Sequence, residues 1–130
     1  MRDVVELTIP IKADLIVLAR LTAATVASRA GFDVEEIEDL RLAVDELCVS
    51  LVSEQPDGQY HLTFVRDDGG VEVTCTVAEE ATPPGSALSA GSSNDLSARI
   101  LDALVDEHGQ EQIDGGRRAW LRKGRARPEV

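Results

Sequence analysis

A chain of 130 residues, 43% hydrophobic and 28% charged, has room for one domain with a single core and not for two ordinary ones. With 3% aromatic residues, that core must be filled by Leu, Val, Ile and Ala. A formal net charge of -11 argues against nucleic acid as a direct ligand, because neutralising phosphates takes a basic surface.

The charge is unevenly spread: Arg117, Arg118, Arg122, Lys123, Arg125 and Arg127 crowd the C-terminal end, and the remainder is the more acidic for it. A basic protein surface is a better partner for that remainder than DNA. No run reaches the ~18–20 apolar residues of a membrane span, and Met1 leads directly into acidic, strand-like sequence, so a cytoplasmic protein with no membrane association is expected. Cys48 and Cys75 fall at apolar positions without CxxC or Cys/His metal spacing, which predicts buried free thiols.

Along the chain, Val5, Leu7 and Ile9 alternate with Glu6 and Thr8, the period of a half-buried strand, and Pro10 ends it. From Lys12 to Ala30, Leu15, Leu18, Ala19, Thr22 and Val26 predict an amphipathic helix stopped by Gly31. Asp33 and Glu36 form a capping-box pattern ahead of Ile37, Leu40, Val44, Leu47, Cys48 and Leu51, a second helix expected to run to about Ser53. Its acidic residues Glu35, Glu36, Glu38, Asp39 and Asp45 read as a solvated face.

The turn signal at Gln55–Gln59 leads into a strand over Tyr60–Arg66, and Asp67 to Gly70 joins it in a hairpin to alternating Val71, Val73, Cys75 and Val77. Residues 79–94 are rich in Gly, Ser, Ala and Pro and read as a long loop. Asp95 is placed to cap a third helix with Leu96, Ile100, Leu101, Leu104 and Val105 as its apolar face, closed at His108-Gly109. A last hairpin turns at Asp114-Gly115-Gly116, and residues 124–130 make a flexible basic tail. Strands and helices are grouped rather than alternating. The expectation is an α/β two-layer sandwich, α+β in its element order: a mixed, mainly antiparallel sheet with three helices on one face.

On the second helix, Glu46 and Ser50 stand four residues apart and share a face. The run RLAVDELCVSLV that contains them resembles the N-box of the RsbW-like anti-sigma factor serine kinases, which have the GHKL ATP-binding (Bergerat) fold. The similarity covers residues 1–123 as one histidine kinase-like ATPase domain, with LARLTAATVA upstream, and is closest in style to the actinobacterial, UsfX-like members.

The resemblance implies that Glu46 is the general base towards an attacking hydroxyl, a role for a carboxylate within hydrogen-bond reach of the proton. It implies that Ser50, standing where the family has a magnesium-binding Asn, is the metal and nucleotide contact. It also places Glu79 at the adenine-binding Asp, Ser97 in the Gly-x-Gly phosphate loop, and Arg20 at the exposed first-helix arginine that meets protein partners. ATP and Mg²⁺ are the implied cofactors. The implied partners are an alternative sigma factor, an anti-anti-sigma factor and a second copy of the chain.

The nucleotide motifs depart from the family pattern in one direction. Ala81 and Pro83 replace the two glycines after Glu79, and proline fixes φ and removes an N–H. Asp95-Leu96-Ser97 brings a carboxylate to the place where phosphates would need free amides. The family's Thr in the last strand is missing near Gly116-Arg117. These changes predict weak or lost ATP binding, with sequestration of a sigma factor by contact; an active serine kinase and an adaptor binding neither ligand are the alternatives.

Overall fold

The computed structural model describes residues 2–51, 58–78 and 91–124, with the backbone alone for residues 91–95. Glu79, most of the expected 79–94 loop and the basic tail beyond Gly124 lie outside the described residues. Five strands and three helices follow the order β1 (Asp3–Pro10), α1 (Ile16–Arg29), α2 (Val34–Ser50), β2 (Gln59–Asp67), β3 (Gly70–Ala78), α3 (Gly91–Leu104), β4 (Glu107–Ile113) and β5 (Gly116–Gly124). The strands make one sheet ordered β1-β2-β3-β5-β4. All four pairings are antiparallel, so the parallel component allowed for in a mixed sheet is not present among the described residues.

Alternation along the strands sorts the two faces of this sheet. Ile9, Tyr60, Leu62, Phe64, Val71, Val73, Cys75, Val77, Ala119 and Leu121 are buried on one side. The helices cover that side, contributing Ala19, Ala23, Val26, Leu40, Val44, Leu47, Leu101 and other apolar residues to one core. Trp120 sits between two buried neighbours on β5 and therefore points to the other face, where its indole lies against Gly109 of β4 so closely that a Cβ there would be 3.0 Å from Nε1.

Local chemistry explains most of the boundaries. Asp33 accepts a hydrogen bond from the Glu36 amide at 2.8 Å and Glu36 accepts one from the Asp33 amide at 2.9 Å, so the capping box predicted for α2 is formed. Gly31, with φ 82°, ends the first helix in the left-handed region. In the β2–β3 hairpin the Asp67 carboxylate receives the amides of Gly69 and Gly70, at 2.8 and 3.0 Å. Gly70 itself runs so close to β5 that a Cβ would lie 2.2 Å from the Lys123 carbonyl oxygen.

Several expectations are corrected. The first helix does not begin at Lys12: a 3₁₀ turn over Ala13–Leu15 precedes α1. With that start its buried stripe is Ile16, Ala19, Ala23, Val26 and Ala27, while Leu18 is left exposed. Small alanines let α1 approach the core more closely than a leucine stripe would. The second helix stops at Ser50 rather than Ser53, because the Cys48 carbonyl is taken by the Tyr60 hydroxyl at 2.7 Å and by the Leu51 amide at 3.1 Å.

The third helix starts at Gly91, within the segment expected to be loop, so Asp95 is inside the helix and not its cap. It ends at Leu104, where Lys123 Nζ donates to the carbonyl at 2.9 Å, and His108-Gly109 belongs to β4 instead of closing the helix. His108 remains tied to the helix through Asp102, at 2.6 Å.

Candidate functional site

Successive residues of an α-helix point about 100° apart, so one helix packed between two others can send adjacent side chains to different neighbours. α2 occupies that middle place, with α1 on one side and α3 on the other. Its consecutive carboxylates divide accordingly. Asp45 faces α1, where its Oδ1 lies 3.7 Å from Arg20 Nε. Glu46 faces α3, where its Oε1 accepts a hydrogen bond from the Ser97 hydroxyl at 2.6 Å.

The acidic residues of α2 are therefore not simply a solvated face. Glu36 is buried in the capping box, Asp39 lies 3.8 Å from Lys123 of β5, and Asp45 is spent on Arg20. Only Glu35 and Glu38 stay on the exposed side, with Glu38 paired to Arg41 at 3.2 Å.

Ser97 is 5% exposed, with Leu101 buried one turn on along α3 and Val105 buried just past the end of the helix. A hydroxyl in such a place needs a partner, and a carboxylate gives it a charge-assisted one. Ser50, one turn beyond Glu46, is 8% exposed and donates its hydroxyl to the Leu47 carbonyl at 2.7 Å. Glu46 and Ser97 thus meet where α2 packs against α3, and Ser50 follows Glu46 one turn on along the same face of α2. Arg20 lies on the opposite flank of α2, with Val17 and Leu21 exposed beside it on α1 and Leu42 and Val49 exposed on α2.

At the junction Ser50 does not offer its hydroxyl outward to a metal ion. Ser50 turns its hydroxyl back into its own helix, and among the described residues no group of three or more His, Cys, Asp or Glu side chains could hold a metal. Among the described residues the first half of α3 is regular helix. Because α3 begins at Gly91, the amides of Asp95, Leu96 and Ser97 fall past the first turn, where backbone N–H groups are consumed by the helix.

Beneath the junction, Cys48 and Cys75 are free and buried. Cys75 is pushed far above the ordinary thiol range by its hydrogen bond with Cys48 and by burial, which makes this pair inert core rather than chemistry. Burial likewise pushes the Tyr60 phenol up, in keeping with its role as a fixed donor to α2.

Sequence reasoning singled out Glu46, Ser50, Glu79, Ser97 and Arg20 and read Asp45 as part of a solvated face; the partner of Asp45 lies 25 residues earlier in the chain and is met only through helix packing. Among the described residues no helix is long and apolar enough to cross a membrane.

Residues 9–123 match the family model described as a histidine kinase-like ATPase domain. Among curated proteins the chain is 40% identical over 78 residues to the serine-protein kinase RsbW of Bacillus pumilus strain SAFR-032, covering 60% of this chain and 45% of that protein. It is 44% identical over 48 residues to the serine-protein kinase RsbW of Bacillus cereus strain AH187, covering 37% of this chain and 30% of the other. The chain therefore matches less than half the length of these curated relatives.

Proposed function

The chain belongs to the histidine kinase-like ATPase domain family, in its RsbW-like branch, and on that premise we propose that it is an anti-sigma factor that acts by protein contact, with ATP binding weak or lost. The observation that carries this reading is the hydrogen bond from Ser97 to Glu46. It commits to each other two groups that a nucleotide-dependent kinase would turn towards its substrates.

The opposite flank of α2 supports the contact half of the reading. Arg20 is partly exposed, and α1 and α2 also expose Val17, Leu21, Leu42 and Val49, a mixture of charge and apolar area suited to a protein partner. An alternative sigma factor would bind here and lose surface it needs for polymerase, and an anti-anti-sigma factor would compete for the same face. The protein would work in the cytoplasm as a homodimer joined through β1 and α1, whose Val4, Val5 and Leu18 are exposed.

The test is co-expression of the tagged chain with each alternative sigma factor of the same cell, followed by size-exclusion chromatography without nucleotide. A stable complex with one of them is expected, and it should be lost in Arg20→Ala. Absence of any complex, or one that forms only with Mg-ATP, overturns the reading.

A second reading, an active serine kinase acting on the anti-anti-sigma factor with Glu46 as its general base, is favoured by the similarity to proteins named as serine-protein kinases. Phosphate transfer to the anti-anti-sigma factor, lost in Glu46→Gln, would establish it.

A further inference from the structure

Two independent features of α3 converge on one residue. The helix extends backwards through Asp95-Leu96-Ser97, so the backbone at this position is helical and its amides are turned along the helix axis rather than into a loop. The Ser97 side chain, 5% exposed, then donates to Glu46 Oε1 at 2.6 Å and ties that helical turn to α2.

We infer that Ser97 is a latch: its hydroxyl fastens the first half of α3 to Glu46 and so holds in helical form the segment that would have to unwind to admit a phosphate chain. The inference rests on the proposal that ATP binding is weak or lost, and names its cause.

The latch is local because the remaining ties of α3 lie elsewhere. Leu101 and Val105 pack in the core, Lys123 holds the Leu104 carbonyl, and His108 holds Asp102. These anchor the C-terminal half of the helix. In the N-terminal half, among the described side chains, Ser97 is the buried one that makes a polar bond to another element. Releasing it should free that half without unfolding the domain.

Two substitutions separate the parts of the latch. Ser97→Ala removes the hydroxyl and keeps a strong helix former; Ser97→Gly removes the hydroxyl and also loosens the helix. The measurement is titration of each purified protein with Mg-ATP by calorimetry, with circular dichroism to establish that each is folded. Amide hydrogen exchange of residues 95–97, the first amides bonded within the helix, supplies a readout that requires no nucleotide.

Wild type is expected to bind weakly or not at all. Ser97→Ala should bind at least about tenfold more tightly and exchange these amides about tenfold faster, with Ser97→Gly further along both scales, each tenfold step being about 1.4 kcal/mol. If wild type is silent and both folded variants remain silent with unchanged exchange, the latch is wrong while the contact reading stands. If wild type binds Mg-ATP saturably in the micromolar range, the reading of lost binding falls and the latch with it. Faster exchange without any gain in affinity would also overturn the latch as the cause of closure.

Discussion

Asp45 and Glu46 are adjacent on α2 and hold different helices: Asp45 lies 3.7 Å from Arg20 of α1, and Glu46 accepts a 2.6 Å hydrogen bond from Ser97 of α3. The two bonds differ in kind. The first is an ion pair with both side chains more than a third exposed, where solvent and salt screen most of the attraction. The second has one partner almost wholly buried.

Stability should follow that difference. Ser97→Ala removes a hydrogen bond to a charged acceptor, a loss of about 1.5–3 kcal/mol at most, and less to the extent that water reaches the half-buried Glu46. Asp45→Ala should cost no more than about 1 kcal/mol, the ceiling for an exposed pair. Urea denaturation of both variants checks the order, which a larger loss in Asp45→Ala would reverse.

Arg20 should separate binding from folding. Arg20→Ala is expected to unfold within about 1 kcal/mol of wild type, since only a screened pair is lost, while its sigma-factor complex weakens by tenfold or more. Asp45→Ala frees the same guanidinium and should bind as well as wild type or better. Parallel unfolding curves and pull-downs decide this; equal loss of binding in both variants would mean that the pair, not the arginine, is recognised.

The capping box gives a prediction independent of function. Asp33→Ala leaves the Glu36 amide without its side-chain acceptor and should destabilise the protein by about 1 kcal/mol. Asp33→Asn or Asp33→Ser should recover most of that, because each returns an oxygen to the cap. Thermal unfolding of the set measures it.

Acid sensitivity should trace to Asp3. Its carboxylate accepts from Arg66 and Arg29, both at 2.8 Å, and these two guanidiniums hold its pKa well below the usual carboxylate range. Asp67 is lowered in the same direction, first by Arg122 and then by the Gly69 amide. A depressed folded-state pKa gives stability that is present above the unfolded value, near ~3.9, and is lost as pH falls towards the folded value. Asp3→Asn should therefore be less stable at neutral pH and lose less stability between about pH 5 and pH 2. Denaturation curves that keep the wild-type slope in this range would assign the acid response to other groups.

The outline of the fold was legible because its determinants are local. The α2 start follows from Asp33 and Glu36, three residues apart, and the hairpin follows from Asp67 to Gly70. The start of α3 was not. Gly91, Ser92, Ser93 and Asn94 are poor helix formers, and local propensity alone puts them in the loop. The buried face of α1 was rotated for a related reason: Leu18 outranks Ala23 and Ala27 in apolarity, but the close approach of this helix favours alanine.

The candidate site was legible as separate residues. Glu46 and Ser50 were linked by helix periodicity, but the bonds to Ser97, 51 residues away, and to Arg20 exist only once three helices are packed. That Ser50 would turn back on Leu47 was foreseeable as the ordinary behaviour of a helical serine.

Trp120, turned away from the helices and resting on Gly109, gives the molecule a built-in optical probe with a useful blindness. It is the single tryptophan of the chain, and the sheet stands between it and the α2–α3 junction. Its emission should respond when a second chain covers the outer face of the sheet and stay constant when events are confined to the helical side. Intrinsic fluorescence can therefore tell which side of the domain a binding partner has chosen before any complex is imaged.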